Sequence, residues 1–119
     1  RKADGLPSGA VVRLDEMVSY NEGAIVSRTL AESRTTKITV FAFDKGQGLS
    51  EHATPYDALV QVFDGAGEFI VGGNKHELAA GDAMIMPANV PHAVKATQRF
   101  KMLLTMFSGS SGCAGCGNA

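Results

Sequence analysis

From Gly9 onward, short runs of Val, Ile, Phe, Thr and Met are interrupted by Gly, Pro, Asn and Asp at intervals of roughly 8 to 12 residues. This spacing is typical of β-sandwiches and barrels, and the 3.6-residue period of an amphipathic helix is nearly absent. The sequence therefore predicts an all-β domain. The predicted strands are residues 11–14, 24–31, 37–43, 58–63, 68–71, 75–78, 83–86, 92–96 and 100–107.

Two of these strands, residues 38–43 and 100–107, carry apolar side chains on both alternating faces. A strand of this kind is covered on both sides. In a small barrel one face lines the interior, and the other packs on a second chain or on a covering segment of the same chain. We expect a homo-oligomer, most simply a homodimer. Residues 15–23 form either one helical turn or a loop.

Glycines mark the predicted turns. Gly65 and Gly67 sit between two strand runs, and Gly72-Gly73-Asn74 repeats the arrangement one strand later. Glycine adopts the positive φ that a tight hairpin requires, so both segments are predicted hairpins. Asp82 follows Gly81 at the start of another strand, where its carboxylate can accept hydrogen bonds from neighbouring backbone amides.

Length and charge exclude several classes of protein. A chain of 119 residues with 45% hydrophobic residues is enough for one domain with a core. The net charge of −1 and the lack of a Lys/Arg run argue against a nucleic-acid partner. The apolar runs are far shorter than the roughly 20 residues of a membrane-spanning helix. With two cysteines close together, a disulfide-built secreted scaffold is excluded, and we predict a soluble cytoplasmic protein.

The central half of the chain carries two spaced motifs. Their matching positions are Gly46, His52 and Gly65 in the first, and Gly81, Pro87 and His92 in the second. This pattern resembles the two-motif signature of the cupin family. The resemblance implies a jelly-roll, or double-stranded β-helix, barrel over residues 1–107. In that family two histidines and a glutamate of the first motif join the histidine of the second to hold a divalent transition metal.

The sequence departs from the family pattern mainly at metal-binding positions. Thr54 stands at the second histidine position and Ala58 at the glutamate position, so two of the four expected ligands are missing. Ala96 stands where the second motif of the family ends in an asparagine. Asn89 replaces a glycine, which is a mild change because asparagine tolerates positive φ better than most residues.

The resemblance implies that His52 and His92, although 40 residues apart, converge in one pocket. Paired imidazoles suit Zn, Fe, Ni or Cu, and Mn is a further candidate, but two protein ligands rarely hold such an ion firmly. The nearest side chains that could complete the set are Glu51, Thr54, Asp57 and Gln61. For ligand binding we select His52, Thr54, Tyr56, Gln61 and His92. His76 is predicted to face solvent, and the recurrent methionines to fill the core or line an apolar cavity.

Residues 108–119 are almost entirely Gly, Ser, Ala, Cys and Asn, a composition typical of a flexible tail. Within this tail Cys113 and Cys116 form a C-x-x-C segment, which is half of a zinc or iron knuckle. Three interpretations compete: a reversible disulfide, a half-site completed by another chain or by the barrel histidines, and an inert segment. The inert segment is the default, since no helix start surrounds the pair to lower a thiol pKa.

The leading hypothesis is a barrel that binds a small molecule, and a weakly held divalent metal, through His52 and His92. One alternative is a metal-dependent enzyme of the isomerase or oxygenase type, in which the ion polarises a substrate oxygen or activates O₂. The other alternative is a non-catalytic dimeric interaction module. Fold resemblance does not choose among them, because one barrel hosts many activities.

Overall fold

The computed structural model describes residues 5–108. Its strands are β1 (Ile25–Glu32), β2 (Thr36–Phe43), β3 (Gly48–His52), β4 (Asp57–Val71), β5 (Asn74–Ala79), β6 (Ala83–Met86), β7 (His92–Lys95) and β8 (Phe100–Phe107), preceded by a short 3₁₀ turn (Leu14–Glu16). Every strand pairing is antiparallel. The strands run in the order β1-β2-β8-β4-β7-β3, with β5 and β6 also on β4. The predicted all-β barrel of jelly-roll type is confirmed.

The long strand β4 joins the two layers of this barrel. Its first half pairs with β8 and β6, and its second half pairs with β5 and β7. The predicted hairpin around Gly65 is therefore wrong, because the chain passes through this glycine without reversing. A register shift between Val62 and Asp64, followed by a φ of +71° at Gly65, marks an irregularity at this point. Bulges of this kind bend a strand, which lets β4 pass from one layer into the other.

The second glycine pair does form a hairpin. Val71 pairs with Asn74, which leaves Gly72 and Gly73 as the two loop residues. Their φ angles are +58° and +86°. Positive φ at both central positions defines the type I′ turn, whose twist matches that of the flanking strands.

Two further differences concern single strands. Residues 11–14 are not a strand; Val11 is 98% exposed, and the 3₁₀ turn begins at Leu14. Strand β3 was not predicted, because its residues are mostly polar and exposed.

The expected role of Asp82 is confirmed, because its Oδ2 accepts a hydrogen bond of 2.8 Å from the Ala79 amide.

Three phenylalanines form the centre of the core between the layers. Phe43, Phe69 and Phe100 are fully buried. The rings of Phe43 and Phe100 stack at 4.6 Å, and the Phe69 ring meets Phe100 edge-on at 5.8 Å. The recurrent methionines belong to the same core: Met86 and Met102 are buried in it, and Met84 and Met106 pack against it.

A segment of the same chain covers part of the outer face of the β1-β2-β8-β4 layer. Leu14, Met17 and Val18 pack on Val40 and Ala42, which are fully buried although they face away from the main core. The prediction that β2 is covered on both sides is thus met by residues 14–20, the covering segment. Of the two alternatives that the sequence offered, a second chain or a covering segment of the same chain, the second is found over this part of the face.

Polar contacts fix the end of the covering segment. The Tyr20 phenol donates a hydrogen bond to Asp64 Oδ2, and the Lys101 ammonium donates to the Asp15 carbonyl at 2.7 Å. The side chains of Arg99 and Lys101 each lie 5.1 Å from the centre of the Tyr20 ring. Burial, together with the hydrogen bond to Asp64, raises the pKa of Tyr20 above its usual range, so the phenol keeps its proton.

Within residues 5–108, no helix is long and apolar enough to cross a membrane.

Candidate functional site

The fold brings His52 and His92 together. His52 ends β3, His92 begins β7, and the two residues are cross-strand partners. Their ring centroids are 4.4 Å apart, and the rings meet edge-on at 65°. His92 is buried, with 7% of its surface exposed, whereas His52 faces solvent. We call this end of the barrel, where β3 ends and β7 begins, the histidine end.

Each imidazole is held by a backbone carbonyl two residues earlier in the chain. The Nδ1 atom of His52 lies 2.8 Å from the Ser50 carbonyl oxygen, and the Nδ1 atom of His92 lies 3.2 Å from the Val90 carbonyl oxygen. A carbonyl only accepts hydrogen bonds, so in both rings Nδ1 carries the proton. In the neutral form this leaves both Nε2 atoms with a free lone pair.

The loop between β6 and β7, which supplies the Val90 carbonyl, is itself held in place. Asp57 Oδ1 accepts a hydrogen bond of 2.9 Å from the Ala88 amide, and the Asn89 amide donates to the Thr54 carbonyl at 2.7 Å. Asn89 has a φ of +63°, as expected for an asparagine at a glycine position. Asp57 thus positions the loop that orients His92.

Replacing Asp57 with alanine is expected to lower the free energy of unfolding by about 2 kcal/mol, because the Ala88 amide loses a charged acceptor. It should also shift the ¹H and ¹⁵N resonances of the His92 ring. The control is Asp57→Asn, whose side-chain oxygen can still accept this bond and should preserve the His92 resonances. If Asp57→Ala left those resonances unchanged, the positioning role would be refuted.

The remaining predicted ligand-binding residues lie in different places. The Thr54 hydroxyl is engaged with the backbone of Tyr56, and the Tyr56 side chain is 41% exposed beside the turn between β1 and β2. Gln61 is exposed between Val60 and Val62, which are both buried. Successive strand residues face opposite sides, so Gln61 points to the outer face, where it lines a cleft with Leu14. The structure therefore does not bring Gln61 to the histidines.

An apolar residue lies beside His92 on the neighbouring strand. Val71, the other cross-strand partner of His92, is half-buried and packs on the main core. His92 thus lies between the exposed His52 on one neighbouring strand and an apolar residue of the core on the other.

The residues present do not fit the four-ligand metal site of the resembled family. Ala58, at the glutamate position, is buried and offers only a methyl group. Within residues 5–108, no group of three or more His, Cys, Asp and Glu side chains could hold a metal ion. The two cysteines of the predicted tail lie outside the described residues.

Sequence reasoning missed the groups that support the imidazoles. The Ser50 and Val90 carbonyls belong to the backbone, so residue identity does not reveal their role. Sequence reasoning weighed Asp57 as a ligand but not as a support for the loop before His92. Its position directly before the buried Ala58 already argued against a ligand, since alternation along β4 turns it away from the interior.

The fold and the histidine pair together define a class of protein: a two-layered antiparallel β-barrel with paired histidines at one end. Comparison with known proteins identifies the family. Residues 39–107 match the family model described as the cupin domain. The chain belongs to the cupin family.

Solved structures from several bacteria share this architecture. A conserved protein of unknown function from Streptococcus pyogenes is 34% identical, with a TM-score of 0.83 over 87% of this chain and 91% of that one. A cupin 2 conserved barrel domain protein from Leptotrichia buccalis is 44% identical, with a TM-score of 0.76 over 78% of this chain and 45% of that one. A cupin superfamily protein from Desulfitobacterium hafniense is 28% identical, with a TM-score of 0.82 over 87% and 95%.

Proposed function

We propose that the histidine end binds a small molecule that carries a hydroxyl or carboxyl group on an apolar body. The observation that supports this most directly is the pair of imidazoles 4.4 Å apart, each held through Nδ1 by a backbone carbonyl. Two rings held in this way present fixed polar atoms beside an apolar interior. Small-molecule sites commonly combine a mostly apolar lining with a few placed polar groups.

The chemistry of the pair limits the polar part of the ligand. A neutral imidazole with its proton on Nδ1 accepts a hydrogen bond at Nε2, which suits a hydroxyl group or a protonated acid. A protonated imidazole donates at Nε2, which suits a carboxylate. Val71, which is half-buried beside His92, would contact the apolar body. His52, the exposed member, would meet the ligand first.

Nuclear magnetic resonance of the imidazole rings tests this proposal. The probes are straight-chain monocarboxylic acids of four to eight carbons and the matching alcohols, added to protein treated with chelator. We expect saturable shifts at His52 and His92, and weaker binding at the remaining ring in each single variant, His52→Ala and His92→Ala. The chain has three histidines, so the exposed His76 on β5 serves as an internal control. Probes that move the His76 ring as much as the pair, or move none of the rings, would refute the proposal.

We also propose that the chain forms a homodimer through the uncovered part of the outer face. Ile85 is 50% exposed there, and its cross-strand partner Leu59 is only half-buried. Ile85 lies between the inward-facing Met84 and Met86, so alternation along β6 points it outward. The covering segment packs on Val40 and Ala42, and no contact places it over Ile85 among the residues that the structure describes.

Light scattering after size-exclusion chromatography should give the mass of a dimer for the unmodified chain. Replacing Ile85 with aspartate should give a monomer, because a buried unpaired charge at an interface is costly. The matched control is Val11→Asp, which alters an apolar residue that is already 98% exposed and should leave the dimer intact. A monomeric unmodified chain would refute the homodimer.

A further inference from the structure

A small cleft lies beside the turn that joins β1 to β2. It is lined by residues 32–37, Tyr56 and Met106. Its volume is about 160 Å³, several times the roughly 30 Å³ that a water molecule occupies in the liquid. Pockets for drug-sized ligands measure roughly 300 to 1,000 Å³. This cleft, which we call the turn cleft, therefore fits a small ion or a single small chemical group.

Strand pairing and a backbone hydrogen bond fix the shape of the turn cleft. Lys37 pairs with Glu32 on β1 and with Met106 on β8, so these three residues lie on one face of the sheet. The Ser108 amide donates a hydrogen bond of 3.0 Å to the Thr35 carbonyl, which ties the turn to the end of β8. A ligand thus meets a cleft that is already formed, and binding carries little cost for ordering the backbone.

The charge of the turn cleft is positive. Arg34 and Lys37 contribute two positive charges, and Glu32 contributes one negative charge. Glu32 is the cross-strand partner of Lys37, yet no ion pair joins it to either cation among residues 5–108. Both cations therefore keep N–H donors that an anion from solution can use.

Neutral side chains add further donors to the cleft. The Tyr56 side chain is 41% exposed, and its hydroxyl makes no hydrogen bond to any residue that the structure describes. Ser33 Oγ accepts a hydrogen bond of 3.4 Å from the Thr35 amide, so its own proton remains available to donate. The lining is thus rich in donors, and Glu32 supplies its one carboxylate.

We propose that the turn cleft binds a phosphate group, either as free phosphate or as the phosphate of a small ester. A phosphate monoester carries a charge of about −1.5 to −2 at neutral pH and three strong acceptor oxygens. The Arg34 guanidinium donates to two oxygens at once, and the Lys37 ammonium and the Tyr56 hydroxyl serve the third. A carboxylate has two oxygens and a single charge, so it uses fewer of these donors.

This phosphate site goes beyond the proposed function, because it shares no residue with the histidine pair. It also gives Tyr56 a role different from the one that the sequence suggested. Tyr56 was predicted to bind a ligand together with His52 and His92, whereas the structure places its side chain in the turn cleft.

Titration of the full chain with inorganic phosphate at constant ionic strength tests the site through the amide resonances of the turn. We expect saturable shifts, and none from sodium chloride. The Arg34→Gln, Lys37→Gln double variant should weaken binding by roughly tenfold or more, because hydrogen bonds from charged donors are lost. The control is the Arg13→Gln, Lys45→Gln double variant, which removes the same two charges at exposed positions elsewhere and should bind as the unmodified chain does.

Two single variants test the cleft without removing a cation. Glu32→Gln removes its negative charge and should tighten phosphate binding by about two- to fivefold, the range for charges at exposed positions. Misfolding would not produce this gain in affinity. Tyr56→Phe keeps the ring and removes the hydroxyl, and it should weaken binding by about two- to tenfold.

Phenyl phosphate and acetate are the other probes. Tighter binding of phenyl phosphate assigns the cleft to an ester, and tighter binding of inorganic phosphate assigns it to the free ion. Acetate that binds as tightly as phosphate, shifts that do not saturate, or equal weakening in the control double variant would overturn the proposal. The His52→Ala, His92→Ala double variant should bind phosphate unchanged, so failure of this site and failure of the proposed function are separate results.

Discussion

Replacing Gly65 with alanine is expected to lower the free energy of unfolding by about 3 to 5 kcal/mol. A φ of +71° already costs a side chain about 1 to 2 kcal/mol. A Cβ at this position would also lie 2.0 Å from the Arg99 carbonyl oxygen and 3.0 Å from Phe100 Cα. Both atoms belong to the backbone beside β4, so the strands must separate, and overpacking of this kind adds about 1 to 3 kcal/mol or more.

The matched control for Gly65 is Gly73, in the hairpin between β4 and β5. Its φ is +86°, and a Cβ there would meet no atom within 4 Å. Gly73→Ala should therefore carry only the conformational cost of about 1 to 2 kcal/mol. Urea unfolding of both variants measures the difference. Equal losses of stability would show that the contact with Arg99 does not constrain Gly65.

Replacing Phe100 with alanine is expected to cost about 3 to 5 kcal/mol, the range for a fully buried aromatic side chain. Phe100 has no exposed surface, and it contacts both Phe43 and Phe69. Its loss opens a cavity at the centre of the core and removes two aromatic contacts. Domains are stable by only about 5 to 15 kcal/mol, so urea unfolding should begin at a much lower urea concentration.

A double-mutant cycle with Gly67 sharpens this prediction. A Cβ on Gly67 would lie 2.6 Å from the Phe100 ring, so Gly67→Ala alone should be destabilising. In the presence of Phe100→Ala the ring is absent, and the same substitution should cost little or nothing. Additive losses in the double variant would contradict the predicted contact. Val11→Ala, at a position that is 98% exposed, serves as the surface control and should cost less than either core change.

The sequence predicted most strands because their side chains alternate or are apolar throughout. The predictions for residues 24–31, 37–43, 83–86 and 100–107 lie within one residue of β1, β2, β6 and β8. The failures have physical reasons. Strand β3 has no apolar alternation, and it exists because its backbone pairs with β7. Residues 11–14 have the residue types of a strand, but no partner strand lies beside them among the described pairings.

Gly65 shows why the local sequence pattern led to the wrong prediction of a hairpin. A glycine between two apolar runs indicates a hairpin, and the same residue type is needed where a strand bends beside another backbone. Only the position of Arg99, 34 residues further along the chain, distinguishes the two cases. The sequence could show that glycine was required here but not which partner required it.

The candidate site was predicted in part. The spacing of His52 and His92 within two family-like motifs indicated that they converge, and the rings are 4.4 Å apart. The carbonyls that hold each ring through Nδ1, and the support that Asp57 gives to the loop before His92, came only from the structure. Their roles in binding remain predictions.

The sequence by itself determined an all-β chain, because strand periodicity depends on residue identity and spacing, and its resemblance to the cupin signature implied the barrel type and the two missing metal ligands. Only the tertiary structure decided that β4 crosses between the layers, that residues 14–20 cover the outer face and that Gln61 points away from the histidines. Such facts depend on contacts between residues far apart in the chain, which local periodicity does not encode.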